Sequence, residues 1–447
     1  MKIPVLLPPL TLAVTLALSG CGSSSNGAHG DHDHDHDHDH DHDGEIAGAV
    51  RVLVGDAGSL RLYNMADGTP VETYAIADVT GLRTTEDGRF GVINVRGDAQ
   101  QFRFLDSGVW VEDHMDHVHL EVDDPKLVAF SVDGSVYGTA RPAHVVSRDG
   151  RVALVFDGEP GTDVAPAKGA VAVIMRLSAL ETGGIPQILV LEGNRHHGLA
   201  LPAEDDTVIM SVAEGTGTAR TGVRIYDANG AEVAAFPQSC PGLHGYAVIG
   251  QHYLLGCHRT EGAGGVLRIT HNTDPVHAGD RFTEAQILYP EGTTPHIGNF
   301  AYHPESPWAV APWGTEAMIR IDPAAAALSV EDILNLPARQ CGYAMRDDHG
   351  DDLLVLTVDG VLHSVDVADW EVHWSMQVME PFECTAPSPV LRSVGGFAYL
   401  TRPATDDLIE IDLDHDGGIT RTIELTETPL RMTLFRHPAG LVDYGDH

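Results

Sequence analysis

From Gly44 onward, apolar residues come in short runs of Val, Ile, Leu and Tyr, separated by clusters of Gly, Asp, Asn and Pro, and helical periodicity is almost absent. Such runs are the mark of many short antiparallel strands. They recur in groups at a pitch of roughly 45–60 residues, the spacing of propeller blades. One group runs His197 to Pro202, Thr207 to Ser211, Gly222 to Tyr226 and Glu232 to Phe236. The next runs His244 to Ala247, Tyr253 to Cys257, Val266 to Ile269 and Gln286 to Tyr289. Comparable groups start near Leu82, His144, His296, Cys341 and Cys384, which makes seven complete four-stranded units. The ends are complementary: Val50 to Ile76 supplies three strands and Leu430 to Phe435 one more. Pairing them closes the ring and removes exposed strand edges. The pattern therefore predicts an all-β protein, a β-propeller of eight four-stranded blades closed by its terminal strands, with seven blades as the alternative.

The residues before Gly44 follow another logic. Met1-Lys2 and the apolar stretch Ile3 to Leu18, broken by Pro4, Pro8 and Pro9, read as an export signal rather than a membrane span. Leu18-Ser19-Gly20-Cys21 reads as a lipobox, with Cys21 as the lipid-bearing residue. The expected organisation is a lipoprotein signal peptide over 1–20, a disordered tether over 21–44 and a single propeller over 45–447. The chain should then act in the periplasm, held to a membrane through Cys21. The formal charge of −38 becomes −31 when the seven aspartates between Asp31 and Asp43 are set aside, so the folded part is acidic too. Such a surface repels nucleic acid and anionic lipid and attracts cations.

Three constellations carry chemistry. In Asp31 to Asp43, His32, His34, His36, His38, His40 and His42 alternate with aspartates. No apolar residue offsets the entropy of ordering this tract. Its imidazoles suit zinc, copper or nickel, and many weak overlapping sites give fast capture and release. The second is Glu112-Asp113-His114-Met115-Asp116-His117-Val118-His119, inside the longest repeat unit. In an extended segment His117 and His119 point the same way, with His114 and Asp116 placed to complete or orient a metal site. The third emerges only from alignment of the repeats: His144, His197, His244 and His296 open four successive units, and Cys341 and Cys384 the next two. The first strand of a propeller blade lines the channel, so these positions form a ring at one mouth, suited to a metal. His196 should point away from it. Packing of each ring against a neighbouring blade is the alternative at every one of these positions.

Four cysteines follow Cys21, an even number that favours disulfides in an oxidising compartment. The repeats place Cys240 near Cys257, and Cys341 near Cys384; the rival reading makes Cys341 and Cys384 soft ligands to a channel metal. No G-x-S-x-G elbow, HExxH or Walker motif is present, so no catalytic residue is assigned.

Together the export signal, the His/Asp tract, the Asp113 to His119 run and the His-Gly strand starts (His197-Gly198, His244-Gly245) resemble the AztD family of periplasmic zinc chaperones. The resemblance covers nearly the whole mature chain. It implies zinc as the ion, delivery to the solute-binding protein of a zinc ABC importer, and no enzymatic turnover; His117 and His119 match the family's His-x-His run, while the lipobox departs from a soluble chaperone. A monomer is expected, with no nucleic-acid partner. The rival readings are a metal-dependent propeller enzyme (a hydrolase or lactonase, or a copper redox enzyme) and a metal-independent interaction scaffold.

Overall fold

The structure is a computed structural model that describes residues 50–113, 118–183, 188–215, 217–259, 264–275, 277–415 and 417–436. The signal segment, Cys21 and the His/Asp tract lie outside the described residues, as do His114, Asp116 and His117.

Eight antiparallel sheets radiate from a common axis among the described residues, as the repeat pattern predicts. Blade 1 orders Thr69–Tyr74, Leu60–Asn64, Arg51–Gly55 and the C-terminal Arg431–Phe435, which takes the innermost place. The closing register pairs Arg51 with Phe435 and Gly55 with Arg431. The inner strands of blades 2 to 8 are Val79–Thr84, Pro142–Arg148, Ala200–Ala203, His244–Ile249, Ala301–Tyr302, Gln340–Met345 and Leu391–Val394.

Burial falls off along each blade. Second strands such as Phe90–Val95 and Arg151–Phe156 are buried at every position, which explains why they are apolar apart from Asn94 and Arg151. Outermost strands such as Thr69–Tyr74 and Glu371–Gln377 are largely exposed. The core lies between blades. Phe90, Phe102 and Phe104 of blade 2 pack on Leu154, Phe156 and Val173 of blade 3, with the Phe102 and Phe156 rings edge-on at 4.9 Å. Each such side chain contributes about 1.5–3 kcal/mol on full burial, so the ring is held mainly by its seams.

Both expected disulfides form. Cys240–Cys257, with Cα atoms 5.0 Å apart, sits in the apolar seam between blades 4 and 5. Cys341–Cys384, at 5.6 Å, ties blade 7 to the entry of blade 8. This corrects the reading of Cys341 and Cys384 as soft metal ligands, because a disulfide sulfur is no thiolate donor.

Blade 2 is the irregular one. Its outer position is filled by two short strands, Lys126–Leu127 and Val132–Asp133, both paired to Gln101–Asp106. Before them the chain leaves the blade as a separate hairpin, Val109–Asp113 with Val118–Val122, which pairs Glu112 with His119. The insertion expected from the length of this unit is that hairpin, and it carries His119.

Candidate metal centre

The ring of strand starts does converge, but on three histidines. His144 of blade 3, His197 before the inner strand of blade 4 and His244 of blade 5 each place a ring nitrogen within 4.8 Å of the other two. Their ring centroids are 4.3 Å apart for His144 and His197, 5.6 Å for His197 and His244, and 5.8 Å for His144 and His244.

A local irregularity of the inner strands aims these side chains. The ladder between first and second strands shifts register between Pro142 and Val145 in blade 3, bracketing His144, and between His244 and Tyr246 in blade 5. Blades 2 and 7 shift at the corresponding place, between Val79 and Gly81 and between Gln340 and Gly342. A bulge bends the strand and turns one side chain out of the regular alternation. In blade 5 the device depends on Gly245, at φ +68°: a Cβ there would lie 2.6 Å from the Gly298 carbonyl oxygen. That same oxygen accepts a 2.6 Å hydrogen bond from His244 Nδ1.

Each ring is fixed by an acceptor on its Nδ1. His144 Nδ1 donates to Gly198 O at 2.8 Å and His197 Nδ1 to Asp157 Oδ2 at 2.9 Å. Carbonyl and carboxylate oxygens only accept, so all three Nδ1 atoms carry a proton and Nε2 is the nitrogen left to face a metal. Asp157 is itself held by the Gly198 N–H at 3.2 Å, and Arg220 lies near it. Burial, with His197 close by, pushes the pKa of His144 down to about 4; burial likewise lowers that of His244. Both are therefore neutral near pH 7. Three oriented imidazoles with outer hydrogen bonds form a donor set that fits zinc and leaves a tetrahedral position open.

His296 does not join them. Its ring lies 4.1 Å from that of His258, beside but apart from the triad. The inner strand of blade 6 begins only at Ala301, so His296 sits in the loop before it rather than at a bulge. His196 faces inward as expected: it is buried, with Nδ1 on Asn194 O at 2.7 Å and Nε2 near Ser211 Oγ at 2.9 Å. Sequence reasoning missed Asp157, Gly298 and His258. The signal for Asp157 was a carboxylate directly ending the strand Arg151–Phe156, which is apolar from Val152 onward.

No family model matches the chain. The zinc chaperone AztD of Citrobacter koseri is 27% identical over 360 residues, which cover 79% of this chain and 78% of that protein. The chain is similar to AztD over most of its length. Two solved structures of Citrobacter koseri AztD, one of them apo, align with TM-scores of 0.72 and 0.73 at 22% and 23% identity; both alignments cover 88% of this chain and 99% of the AztD chain. They share its fold over nearly their whole length. The family resemblance drawn from the sequence is thus upheld by a curated relative and by the propeller of AztD.

Proposed function

We propose that this protein is a zinc chaperone of the periplasm, which captures zinc and passes it to the solute-binding protein of a zinc ABC importer. The observation that carries the reading is the triad His144, His197 and His244, three imidazoles whose Nδ1 atoms are already committed and whose ring nitrogens gather within 4.8 Å. Kinship with a zinc chaperone makes zinc the favoured cargo over copper or nickel, which imidazole also suits. The His/Asp tract is the loading arm: its weak sites collect ions for the propeller to take up. The run that holds His114, Asp116, His117 and His119 is a second, exchangeable station. Cys21 carries a lipid that holds the whole at a membrane.

Release begins at His197. Its side chain is 42% exposed, whereas His144 and His244 are set deeper. A donor from the receiving protein entering the open position would let His197 leave first, so zinc never passes through a bare state. Asp157 keeps the freed ring oriented for reloading.

The test compares zinc content and affinity for two forms of the chain starting at Cys21→Ala, one intact and one lacking Asp31 to Asp43. One tight zinc should survive in the shortened form and be lost on replacing His144, His197 and His244 together. Loss of all tight binding with the tract alone would overturn the role of the triad. Failure of the zinc-loaded protein to metallate an apo solute-binding protein faster than free zinc does would overturn delivery.

A further inference from the structure

The channel holds a second cluster of opposite character. The cavity, of about 500 Å³, is lined by His144 and His244 and also by Arg83, Arg392 and Arg431. Acidic residues outnumber Lys and Arg by 65 to 27 in this chain, so an arginine would ordinarily find a carboxylate. These three do not: among the described residues no carboxylate lies within ion-pairing distance of any of them. Arg83 Nη1 donates only to Leu82 O and Arg392 Nη1 only to Leu391 O, each at 2.8 Å. The two positions match, a Leu-Arg pair on the inner strands of blades 2 and 8, on either side of the closing strand.

The neighbours of Arg392 reinforce the charge instead of cancelling it. Arg83 lies close enough to repel it, and Tyr343 is its polar neighbour on the other side. Burial and Arg83 together press the Arg392 pKa down to about 10, so the group stays charged at neutral pH without a counterion. Glu86, the carboxylate lining this cavity, is committed elsewhere: it accepts from the Gly150 N–H at 2.5 Å. Arg83 reaches solvent and Arg392 is set deeper, so the desolvated charge on Arg392 is the one that costs stability unless something negative occupies the space beside it. Guanidinium groups are suited to planar or tetrahedral oxyanions, which they bind through paired N–H donors.

We propose that the channel binds a small oxyanion of two or more negative charges, a phosphate or a polycarboxylate, between Arg83 and Arg392, with Arg431 beside them. The site is separate from the histidine triad, and its existence does not depend on the zinc reading. An oxyanion of this size fits the cavity of about 500 Å³.

The experiment uses the full mature chain stripped of metal, with inorganic phosphate and citrate as probes, followed by calorimetry and thermal melting in a buffer free of other oxyanions. Saturable binding of one of them is expected, weakened about tenfold or more in Arg83→Met and in Arg392→Met, and unchanged in Arg176→Met, which lies outside this cavity. Arg392→Lys should keep part of the affinity, which separates loss of charge from loss of fold. Phosphate alone raising the melting temperature would name a tetrahedral ligand; citrate alone would name a carboxylate. No saturable binding of either, or equal binding in the arginine variants, overturns the proposal.

Discussion

At the scale of single residues, the centre depends on groups that never touch an ion. Asp157 holds the His197 ring through Nδ1 and is anchored by the Gly198 N–H. Outer partners of this kind typically cost 10–100-fold in metal affinity when removed. Asp157→Asn should therefore weaken zinc binding by roughly that factor while leaving the melting temperature of the metal-free protein nearly unchanged; an unaltered affinity by competition titration would count against the orienting role. Gly245 is a sterner case. A side chain there meets both a left-handed backbone and the Gly298 carbonyl oxygen 2.6 Å away. Gly245→Ala should cost about 1–3 kcal/mol of stability and misdirect His244, so denaturant unfolding and zinc titration should both register it. The His-Gly pair was visible in the sequence, but the reason for its glycine was not. The oxygen it must clear belongs to the next blade, 53 residues on.

Whole elements were more legible than residues. Second strands buried on both faces are mostly apolar runs, and the three-plus-one division of terminal strands could be read directly. Bulges leave no such trace. The shifts around His144 and His244 add a residue without changing composition, so alignment of repeats found the histidines but could not separate His296 from the triad. The blade 6 strand starts five residues after His296, and only a three-dimensional register exposes that slip. Closure is the element on which the ring depends. Arg431–Phe435 supplies the inner strand of blade 1, and Thr433 Oγ1 lies 2.7 Å from Thr84 Oγ1 of blade 2. Ending the chain after Pro429 would leave the edge of Arg51–Gly55 unpaired at the channel. Such a variant should lose cooperative unfolding and self-associate in sedimentation experiments. Retention of a single sharp transition would show that the ring closes without its last strand.

Over the whole molecule, stability and ligand binding are tied to where charge is buried. His363 of blade 7 is buried with its ring nitrogens near Thr357 Oγ1 at 3.1 Å and Ser375 Oγ at 2.7 Å, and burial lowers its pKa. Above about pH 6.5 it is neutral whether folded or unfolded and carries no acid penalty. Below that the unfolded chain takes up a proton that the folded chain refuses, so stability falls by up to about 1.4 kcal/mol per pH unit until the folded pKa is passed. His363→Gln should flatten the dependence of melting temperature on pH between 6.5 and 5, and an identical slope would refute the assignment. The same reasoning links the two ends of the channel. A zinc ion on His144 and His244 and the guanidiniums of Arg83 and Arg392 share one cavity, so like charges meet there across a poorly screened interior. Removing one of them, in Arg392→Met, should tighten zinc binding in a buffer free of oxyanions. Phosphate in the wild-type channel should tighten zinc as well, by neutralising the arginines, and should lose that effect in Arg392→Met. Reciprocity fixes the size: the factor by which phosphate strengthens zinc must equal the factor by which zinc strengthens phosphate. Matched factors of several-fold, measured by titrating each ligand with the other present and absent, would make the channel a joint site for cation and anion. If zinc affinity were the same with and without phosphate, and the same in Arg392→Met, the two clusters would be independent and the arginines would have no part in holding or releasing zinc.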